Sequence, residues 1–234
     1  MTIQYPEFWK SRLAVPTYRV KDAARYAGTS PQTVGSWQRL KARGGVVAPR
    51  DPGDRLNYLQ LIEVGVVAAM RKAGVPLKSI RNARNFLASK MGSQNPFAEY
   101  RFKTDGKQLL LGADEVDSGT KDKLIVVSEA GQYAWKEILQ QLLREFEYSP
   151  EDGACVMRWQ VAGVNEPVII DPRVAFGSPQ VGGVPTGVLR DRWNSGESVR
   201  DIADDFDIDG KLVMSALRFE NVEIDLDRPA QWAN

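Results

Sequence analysis

The chain has 234 residues, of which 43% are hydrophobic and 26% charged, so it is long enough for one large domain or several small ones. No apolar run reaches the roughly 18 residues of a membrane-spanning helix. The first ten residues lack the charged head and apolar stretch of a signal peptide. We therefore expect a cytoplasmic protein with no membrane partner.

The sequence contains no histidine and a single cysteine, Cys155, which excludes several kinds of chemistry. Catalytic triads and imidazole acid-base catalysis need the missing side chain, and a lone cysteine forms no intramolecular disulfide. Nucleotide-binding glycine motifs are absent as well. We therefore predict a protein that is not an enzyme, with no cofactor, no metal and no catalytic residue. Carboxylates such as Asp204 and Asp205 leave an enzymatic alternative open.

The net charge of +1 conceals an uneven distribution along the chain. Residues 1–110 carry 19 basic and 7 acidic side chains, residues 111–190 carry 7 and 12, and residues 191–234 carry 5 and 11. This division into a basic N-terminal part and an acidic C-terminal part predicts two partners. We expect a polyanion to bind the N-terminal part and a basic surface to bind the C-terminal part. The alternative is that the two halves attract only each other.

Residues 17–60 predict a helix-turn-helix DNA-binding module with a basic wing. Small and apolar residues recur at helical spacing over 18–27, and Gly28 can end that helix in a left-handed conformation. Ser30, followed by proline, is a predicted N-cap for a second helix over 32–41. Two short helices around a glycine turn are typical of this motif, although helical hairpins without DNA-binding function also contain them.

The second helix is the predicted recognition helix. Val34 and Trp37 share one face and are expected to pack on Ala23 and Ala24 of the first helix. The opposite face is polar and its surroundings are basic, which suits contacts with base edges and phosphates. The predicted DNA-binding residues are Tyr18, Arg19, Lys21, Gln32, Thr33, Ser36, Arg39, Arg43, Arg50 and Arg55.

A glycine- and proline-rich stretch follows the recognition helix, with a short strand predicted at 46–48. Asn57 and Gln60 then form a predicted capping box that opens a long helix, and a further helix starts within 75–80. This order of elements resembles the MerR-like winged helix-turn-helix, in which arginines of the wing contact phosphates. The chain departs from MerR sensors further on, since it shows neither their long coiled-coil helix nor a ligand-pocket motif.

The sequence of residues 93–166 predicts a small unit of mixed strands and helix. This unit would connect the N-terminal and C-terminal domains or form a dimer interface. Cys155 is expected to be a small strand residue rather than a nucleophile. The predicted elements are a hairpin at 100–109, strands at 124–127, 155–161 and 168–170, and a helix over 128–146.

Residues 167–234 predict a three-helix bundle of helix-turn-helix type, followed by a tail. Ser198 is the predicted N-cap of its second helix, with Asp201 completing an acidic cap. Aspartates crowd this helix and would repel phosphate, so we expect the bundle to contact protein rather than DNA. The predicted helices cover 185–193, 199–206 and 211–220. The whole chain is thus predicted to be α+β and mainly helical, with domains at 1–92, 93–166 and 167–234.

Short motifs of the C-terminal domain occur in a characteristic order. They are Asp171-Pro-Arg173, Phe176-Gly-Ser-Pro179, Pro185-Thr186, Gly196-Glu-Ser198, Ile202-Ala203 and Ala216-Leu-Arg-Phe219. This order resembles a module of VapB-type antitoxins, which in one branch of the family follows a MerR-like helix-turn-helix. The resemblance implies an antitoxin that inhibits a PIN-domain (VapC-type) ribonuclease toxin and represses its own operon by binding operator DNA.

The resemblance and the charge distribution together imply how the toxin is bound. The acidic tail would cover the basic surface that binds RNA, arginines would pair with the carboxylates of the toxin's active site, and apolar side chains would anchor the segment. A frayed, solvated terminus is the alternative for the tail. The predicted toxin-binding residues are Arg218, Phe219, Glu220, Glu223, Leu226, Arg228 and Trp232.

A stand-alone MerR-like transcription regulator without a toxin is the second interpretation. An adjacent gene for a PIN-domain protein would favour the antitoxin, whereas an isolated gene would favour the regulator. Because operators are commonly symmetric, we expect a homodimer or a hetero-oligomer with the toxin.

Overall fold

The chain divides into two compact units, an N-terminal unit of residues 1–157 and a C-terminal unit of residues 158–234. Helices predominate over short strands, so the architecture is α+β and mainly helical, as predicted. Most of the predicted middle domain lies outside the described residues, and the division into three domains stays a prediction. The computed structural model describes residues 8–39, 45–49, 55–99, 144–148 and 155–224.

The described part of the N-terminal unit is mostly helical. Its helices are α1 (Phe8–Arg12), α2 (Val20–Tyr26), α3 (Pro31–Gln38), α4 (Tyr58–Lys72), α5 (Leu77–Met91) and α6 (Pro96–Glu99). Two strands follow α6, β1 (Phe146–Tyr148) and β2 (Val156–Trp159), which form a two-stranded sheet; the unit ends within β2, at residue 157. The hairpin predicted at 100–109, the strand at 124–127 and nearly all of the helix over 128–146 lie outside the described residues.

The first helix of the predicted motif begins two residues later than expected, at Val20 rather than Tyr18. Tyr18 instead forms an antiparallel bridge with Leu56, in which each backbone N–H donates to the other's carbonyl, at 2.9 and 2.8 Å. These backbone groups are therefore committed to a bridge. The bridge joins the start of α2 to the residues just before α4.

The second helix starts as predicted and ends earlier than predicted. Ser30 accepts a hydrogen bond from the backbone of Thr33, at 3.1 Å, and caps α3. The helix ends at Gln38 rather than at residue 41, because the carbonyl of Trp37 accepts from the returning chain, at 2.8 Å from Val46 N–H and 3.3 Å from Val47 N–H. Arg39 therefore lies just beyond the helix, in an extended conformation.

The strand predicted at 46–48 is wrong, since Val46 and Val47 form bends and Ala48 lies in irregular backbone, all three buried. Their backbone groups bond to partners outside any strand. Ala48 N–H donates to the carboxylate of Glu63 at 2.9 Å, and Ala48 carbonyl accepts from the side chain of Gln38 at 3.2 Å. Hydrophobic burial, rather than strand pairing, accounts for the apolar sequence here.

Helix α4 is the centre of the N-terminal core. The predicted capping box is confirmed, because Gln60 N–H donates to Asn57 Oδ1 at 2.8 Å while Asn57 N–H donates to Gln60 Oε1 at 3.0 Å. Helix α5 begins at Leu77, within the predicted range, and ends at Met91; Gly92 follows as its C-cap, with a left-handed φ of 65°. Fully buried residues of α4 include Leu61, Ile62, Val64, Val66 and Val67.

The C-terminal unit contains a small hairpin and three helices in its described part. The strands β3 (Gln180–Val181) and β4 (Val184–Pro185) pair antiparallel, with Val181 opposite Val184. The three predicted helices are confirmed to within about one residue, an agreement normal for helix ends. They are α7 (Thr186–Asn194), α8 (Val199–Phe206) and α9 (Gly210–Phe219).

One hydrophobic core holds the C-terminal unit together. As predicted, Ser198 caps α8, accepting from Asp201 N–H at 3.1 Å while its hydroxyl meets the Asp201 carboxylate at 2.7 Å. The buried members of the core are Val168, Val181, Leu189, Trp193, Ile202, Ala203, Val213, Ala216 and Leu217.

Two strand predictions and one helix prediction for residues 146–170 need correction. The segment at 168–170 forms isolated bridges, Ile169 with Gln180 and Ile170 with Trp159, rather than a strand. Cys155 precedes β2 instead of lying within it, and its sulfur is 3.7 Å from that of Met157. Phe146, predicted to end a helix, instead begins β1. The strand contains Phe146 and Tyr148, and aromatic residues favour strands with one buried face.

Candidate functional site

The residues predicted to form the inner face of helices α2 and α3 are buried. Val34 and Trp37 of α3 are 0% and 5% exposed, and Ala23 and Ala24 of the contacting helix α2 are 0% and 1% exposed. Small alanines allow the two helix backbones to approach closely. The packing therefore fixes which face of α3 points to solvent.

The outer face of α3 is polar and exposed near its start. Gln32 and Ser36 are exposed, and Thr33 is half-buried. The Thr33 hydroxyl lies 2.9 Å from Ser30 Oγ, and Ser36 Oγ donates to the Thr33 carbonyl at 2.7 Å. These local bonds order the two hydroxyl side chains before any partner arrives.

Two predicted DNA contacts just before and within α2 are exposed, and one is not. Arg19 pairs with Asp22, with the nitrogen and oxygen 2.7 Å apart, and Lys21 is exposed. Tyr18 is only 6% exposed, and burial, aided by the nearby Tyr26, raises the pKa of its hydroxyl. Tyr18 therefore supports the module from inside, and its contact with DNA stays a prediction that burial disfavours.

The remaining predicted DNA-binding residues are arginines. Arg39 is exposed directly after α3, and its Nε donates to the Gly35 carbonyl at 3.3 Å. Arg55 is exposed and donates to the Thr17 carbonyl at 3.0 Å. The two arginines thus flank the recognition helix in the sequence and are held by backbone carbonyls. Arg43 and Arg50 lie outside the described residues.

Residues 45–49, here called the wing base, are held between α3 and α4 by side-chain bonds. Gln38 donates to the Ala48 carbonyl at 3.2 Å, and Gln60 donates to the Pro49 carbonyl at 3.0 Å. Both glutamines are buried. The wing base is therefore fixed to the same two helices that carry the recognition face and the core.

Glu63 of α4 is a buried carboxylate that sequence analysis missed. It is 0% exposed and accepts from Ala48 N–H at 2.9 Å and from Phe97 N–H at 3.4 Å, with Arg84 Nε 3.7 Å away. Burial raises its pKa from 4.5 to about 7, against the opposing effects of Arg84 and the two backbone donors. The sequence did contain a signal for this burial, because Glu63 lies within a run of apolar residues and a charged residue there is expected to be buried and paired.

The C-terminal unit carries the opposite charge. Its described residues, 158–224, include 7 basic and 11 acidic side chains, giving a net charge of −4. Several charges pair on its surface: Arg192 contacts both Glu197 and Asp205, and its guanidinium lies 5.5 Å from the ring centre of Phe206. These pairs link α7 to α8 and leave a net acidic surface.

The predicted toxin-binding residues occupy different environments. Glu220 accepts from Thr186 Oγ1 at 2.6 Å and pairs with Arg190 at 3.4 Å, and its side chain is only 8% exposed. Phe219 is half-buried against the core, whereas Arg218 and Glu223 are exposed. Their contacts with a toxin remain predictions. Leu226, Arg228 and Trp232 lie outside the described residues.

The chain after α9 turns back onto the core. Asn221 has a left-handed φ of 57°, and Val222 N–H donates to the Leu217 carbonyl at 3.0 Å. This is a helix-ending pattern that satisfies late carbonyls. Val222 and Ile224 then pack against the core cluster, which fixes where the remaining ten residues start.

A second buried carboxylate, Asp171, organises the loop that carries the first motif of this unit. It is 1% exposed and binds Arg173 through the guanidinium at 2.6 Å and through the backbone N–H at 2.9 Å, with Arg158 3.7 Å away. Burial acts to raise its pKa, but the bonds from Arg173 and the charge of Arg158 outweigh it and hold the pKa below its usual value.

Membrane-spanning helices and metal-binding clusters are both absent from the part of the chain that the structure describes. None of the helices there combines the length and apolar character needed to cross a membrane. The Cys, Asp and Glu side chains there form no group of three or more suited to a metal ion.

The chain is similar to proteins of Mycobacterium tuberculosis. No family model matches the chain. The chain is 27% identical over 227 residues to "Putative antitoxin VapB45" of Mycobacterium tuberculosis, covering 88% of this chain and 94% of that protein. It also matches a solved structure, "X-ray crystal structure of Rv2018 from Mycobacterium tuberculosis", with a TM-score of 0.66 and 26% identity over 88% of this chain and 99% of the other.

Proposed function

We propose that this chain is a VapB-type antitoxin that binds and inhibits a PIN-domain ribonuclease toxin and represses its own operon. The observation that carries the proposal is the similarity to a protein named as an antitoxin, which extends over 88% of the chain. The order of motifs in the C-terminal unit supports the same family independently of that comparison.

DNA binding by the N-terminal unit is supported by helix geometry and charge. Helix α3 buries Val34 and Trp37 and leaves Gln32 exposed near its capped start, the part of a recognition helix that meets base edges. Residues 1–110 carry 19 basic and 7 acidic side chains, which favours phosphate binding. A dimer would place two such helices on a symmetric operator.

Toxin binding is assigned to the C-terminal unit. Its net charge of −4 over residues 158–224 opposes nucleic acid and complements the basic surface on which a ribonuclease binds RNA. Arg218 and Glu223 are exposed at the end of the unit, next to the ten-residue tail. Inhibition then follows from occupation of the surface that RNA would use.

Co-purification with the product of an adjacent gene for a PIN-domain protein tests the proposal. The full chain should retain the toxin and suppress its cleavage of RNA, whereas failure to retain it would overturn the antitoxin function and favour the stand-alone regulator. A chain ending at residue 224 keeps Val222 and Ile224 on the core and removes only the tail. Equal retention by the shortened and full chains would exclude the tail as the inhibitory contact.

Operator binding needs its own assay, because the two activities are assigned to different units. Labelled DNA from upstream of the gene should shift in a gel with the full chain, and more strongly at low salt. A chain that binds toxin but gives no shift on this DNA would separate the antitoxin function from repression.

A further inference from the structure

The loop after Asp171 contains an unusual backbone turn. Three successive residues, Ala175, Phe176 and Gly177, have φ values of +46°, +56° and +73°. Glycine adopts such values freely, but alanine and especially a bulky phenylalanine rarely do, because their Cβ atoms crowd the backbone. A conformation of this kind persists only where the surrounding structure enforces it.

Both ends of the turn are fixed. On one side, the Arg173 guanidinium binds the Asp171 carboxylate at 2.6 Å, and Val174 N–H donates to the Asp171 carbonyl at 3.0 Å. On the other side, Gln180 exchanges two backbone hydrogen bonds with Ile169, at 2.9 and 3.0 Å. The strained turn is therefore held between an ion pair to the buried Asp171 carboxylate and a backbone bridge.

The turn places a large apolar side chain in solvent. Phe176 is 71% exposed, compared with 41% for Val188 and 38% for Val164, the other exposed large hydrophobic residues described in this unit. An exposed aromatic side chain on a fixed backbone loses little conformational freedom on binding, so it suits the centre of a protein interface. Arg173, itself 45% exposed at the side chain, adds a second residue type common in such centres.

We infer that Phe176 is an anchor by which the C-terminal unit docks onto the toxin. The inference rests on the proposed function. The charge of the unit argues for this occupant: with −4 over residues 158–224, it repels nucleic acid and a second copy of itself, whereas it attracts the basic RNA-binding surface of a ribonuclease. The anchor enters an apolar pocket of that surface, and the acidic side chains around the unit meet its basic residues.

The test is toxin affinity of the full chain with Phe176→Ala, measured by calorimetry or surface plasmon resonance. The affinity should fall roughly 10- to 100-fold, the range of an aromatic hot spot. Val164→Ala, which shortens another exposed side chain of the same unit, is the matched control and should bind as the wild type does. The urea midpoint of Phe176→Ala is measured in parallel, so that toxin affinity is compared at a pH and temperature where both proteins are folded.

A second variant separates the anchor from the backbone that presents it. Phe176→Gly removes both the ring and the strain, so it should raise the unfolding midpoint while weakening toxin binding at least as much as Phe176→Ala does. A gain in stability combined with a loss of binding is the pattern expected for a strained binding residue. A loss of stability would contradict it.

The outcomes distinguish the inference from the function on which it rests. A wild-type chain that does not bind the toxin removes both. A wild type that binds, together with Phe176→Ala that binds equally well, overturns the anchor and leaves the antitoxin function standing. If Phe176→Ala changes the oligomeric state without changing toxin affinity, the ring serves contacts between copies of this chain and the inference is also overturned.

Discussion

The backbone N–H of Ala48 donates a 2.9 Å hydrogen bond to the buried carboxylate of Glu63, which ties the wing base to the core helix α4. The same carboxylate accepts from Phe97 N–H at the start of α6 and lies 3.7 Å from Arg84 of α5. One ionisable group thus joins the wing base, which follows α3, to two later helices. Its protonation is therefore coupled to the order of the predicted DNA-binding surface.

Glu63→Gln should remove a pH dependence of stability. Because the pKa of Glu63 is raised from 4.5 to about 7, the folded state binds more protons than the unfolded state between these values. Stability from this group is full below pH 4.5 and is lost as the pH rises through 7, by on the order of 3 kcal/mol. Urea unfolding of wild type and variant from pH 4.5 to 8 measures the difference.

Glu99→Gln is the matched control for this prediction. The negative charge of Glu99 contributes to the raised pKa of Glu63, so its removal should lower the upper end of the pH window while the lower end at 4.5 stays in place. Parallel pH profiles for the wild type and Glu63→Gln would refute the assignment.

Two glycines around the end of α3 should respond in opposite directions to alanine. A Cβ on Gly45 would lie 2.7 Å from the Trp37 carbonyl oxygen and 3.0 Å from that of Val47, so backbone must shift. We expect Gly45→Ala to cost about 1–3 kcal/mol. Gly35, inside α3, has open space around a Cβ, and Gly35→Ala should stabilise by about 0.5–1 kcal/mol.

Thermal or urea unfolding of the two full-length variants decides this prediction. If Gly45→Ala proved as stable as the wild type, the close approach of the wing base to the end of α3 would be wrong. The Gly35→Ala variant is the control, because it shows whether an added methyl group near α3 lowers stability even where there is space for it.

Sequence patterns located helices well where the chain itself carries their end signals. Ser30, Asn57 and Ser198 all cap helices as predicted, because the capping bond involves residues only three apart. The apolar face of α3, with Val34 and Trp37, also followed from spacing. Local chemistry of this kind is contained within one short window.

Contacts distant in the sequence were beyond such patterns. The apolar segment at 46–48 has the composition of a strand, yet its donors are taken by Trp37 and Glu63. The roles of Glu63 and Asp171 depend on partners brought together by folding, and neither was predicted. The left-handed turn at Phe176 likewise depends on the contacts that fix its two ends, so the local sequence did not predict it.

Thr186→Val should destabilise the C-terminal unit by about 1–3 kcal/mol. The Thr186 hydroxyl, 1% exposed, donates to Glu220 at 2.6 Å and joins the start of α7 to the end of α9. Valine keeps the shape but leaves a largely buried carboxylate short of one donor. Urea unfolding of the full chain measures the loss.

Thr186→Ser provides the rescue for that experiment, since it keeps the hydroxyl and should recover much of the stability. Glu223→Gln, at an exposed position three residues after Glu220, should have little effect. Destabilisation by Ser equal to that by Val would attribute the effect to packing of the methyl group instead of the hydrogen bond.

Charge reversal at Arg39 and Arg55 should abolish operator binding and leave toxin binding intact. Both arginines are exposed and flank the recognition helix in the sequence. Each phosphate contact removed should lower the slope of log affinity against log salt by about 1, and reversal adds repulsion. Gel shifts across a salt series, on the double variant Arg39→Glu with Arg55→Glu, measure this effect.

The matched control is Arg200→Glu, which changes an exposed arginine of the acidic C-terminal unit. This variant should shift DNA as the wild type does. Because Arg55 also donates to the Thr17 carbonyl, an unchanged unfolding midpoint is needed to attribute the loss to charge. An unaltered shift in the double variant would remove this helix-turn-helix from the DNA interface.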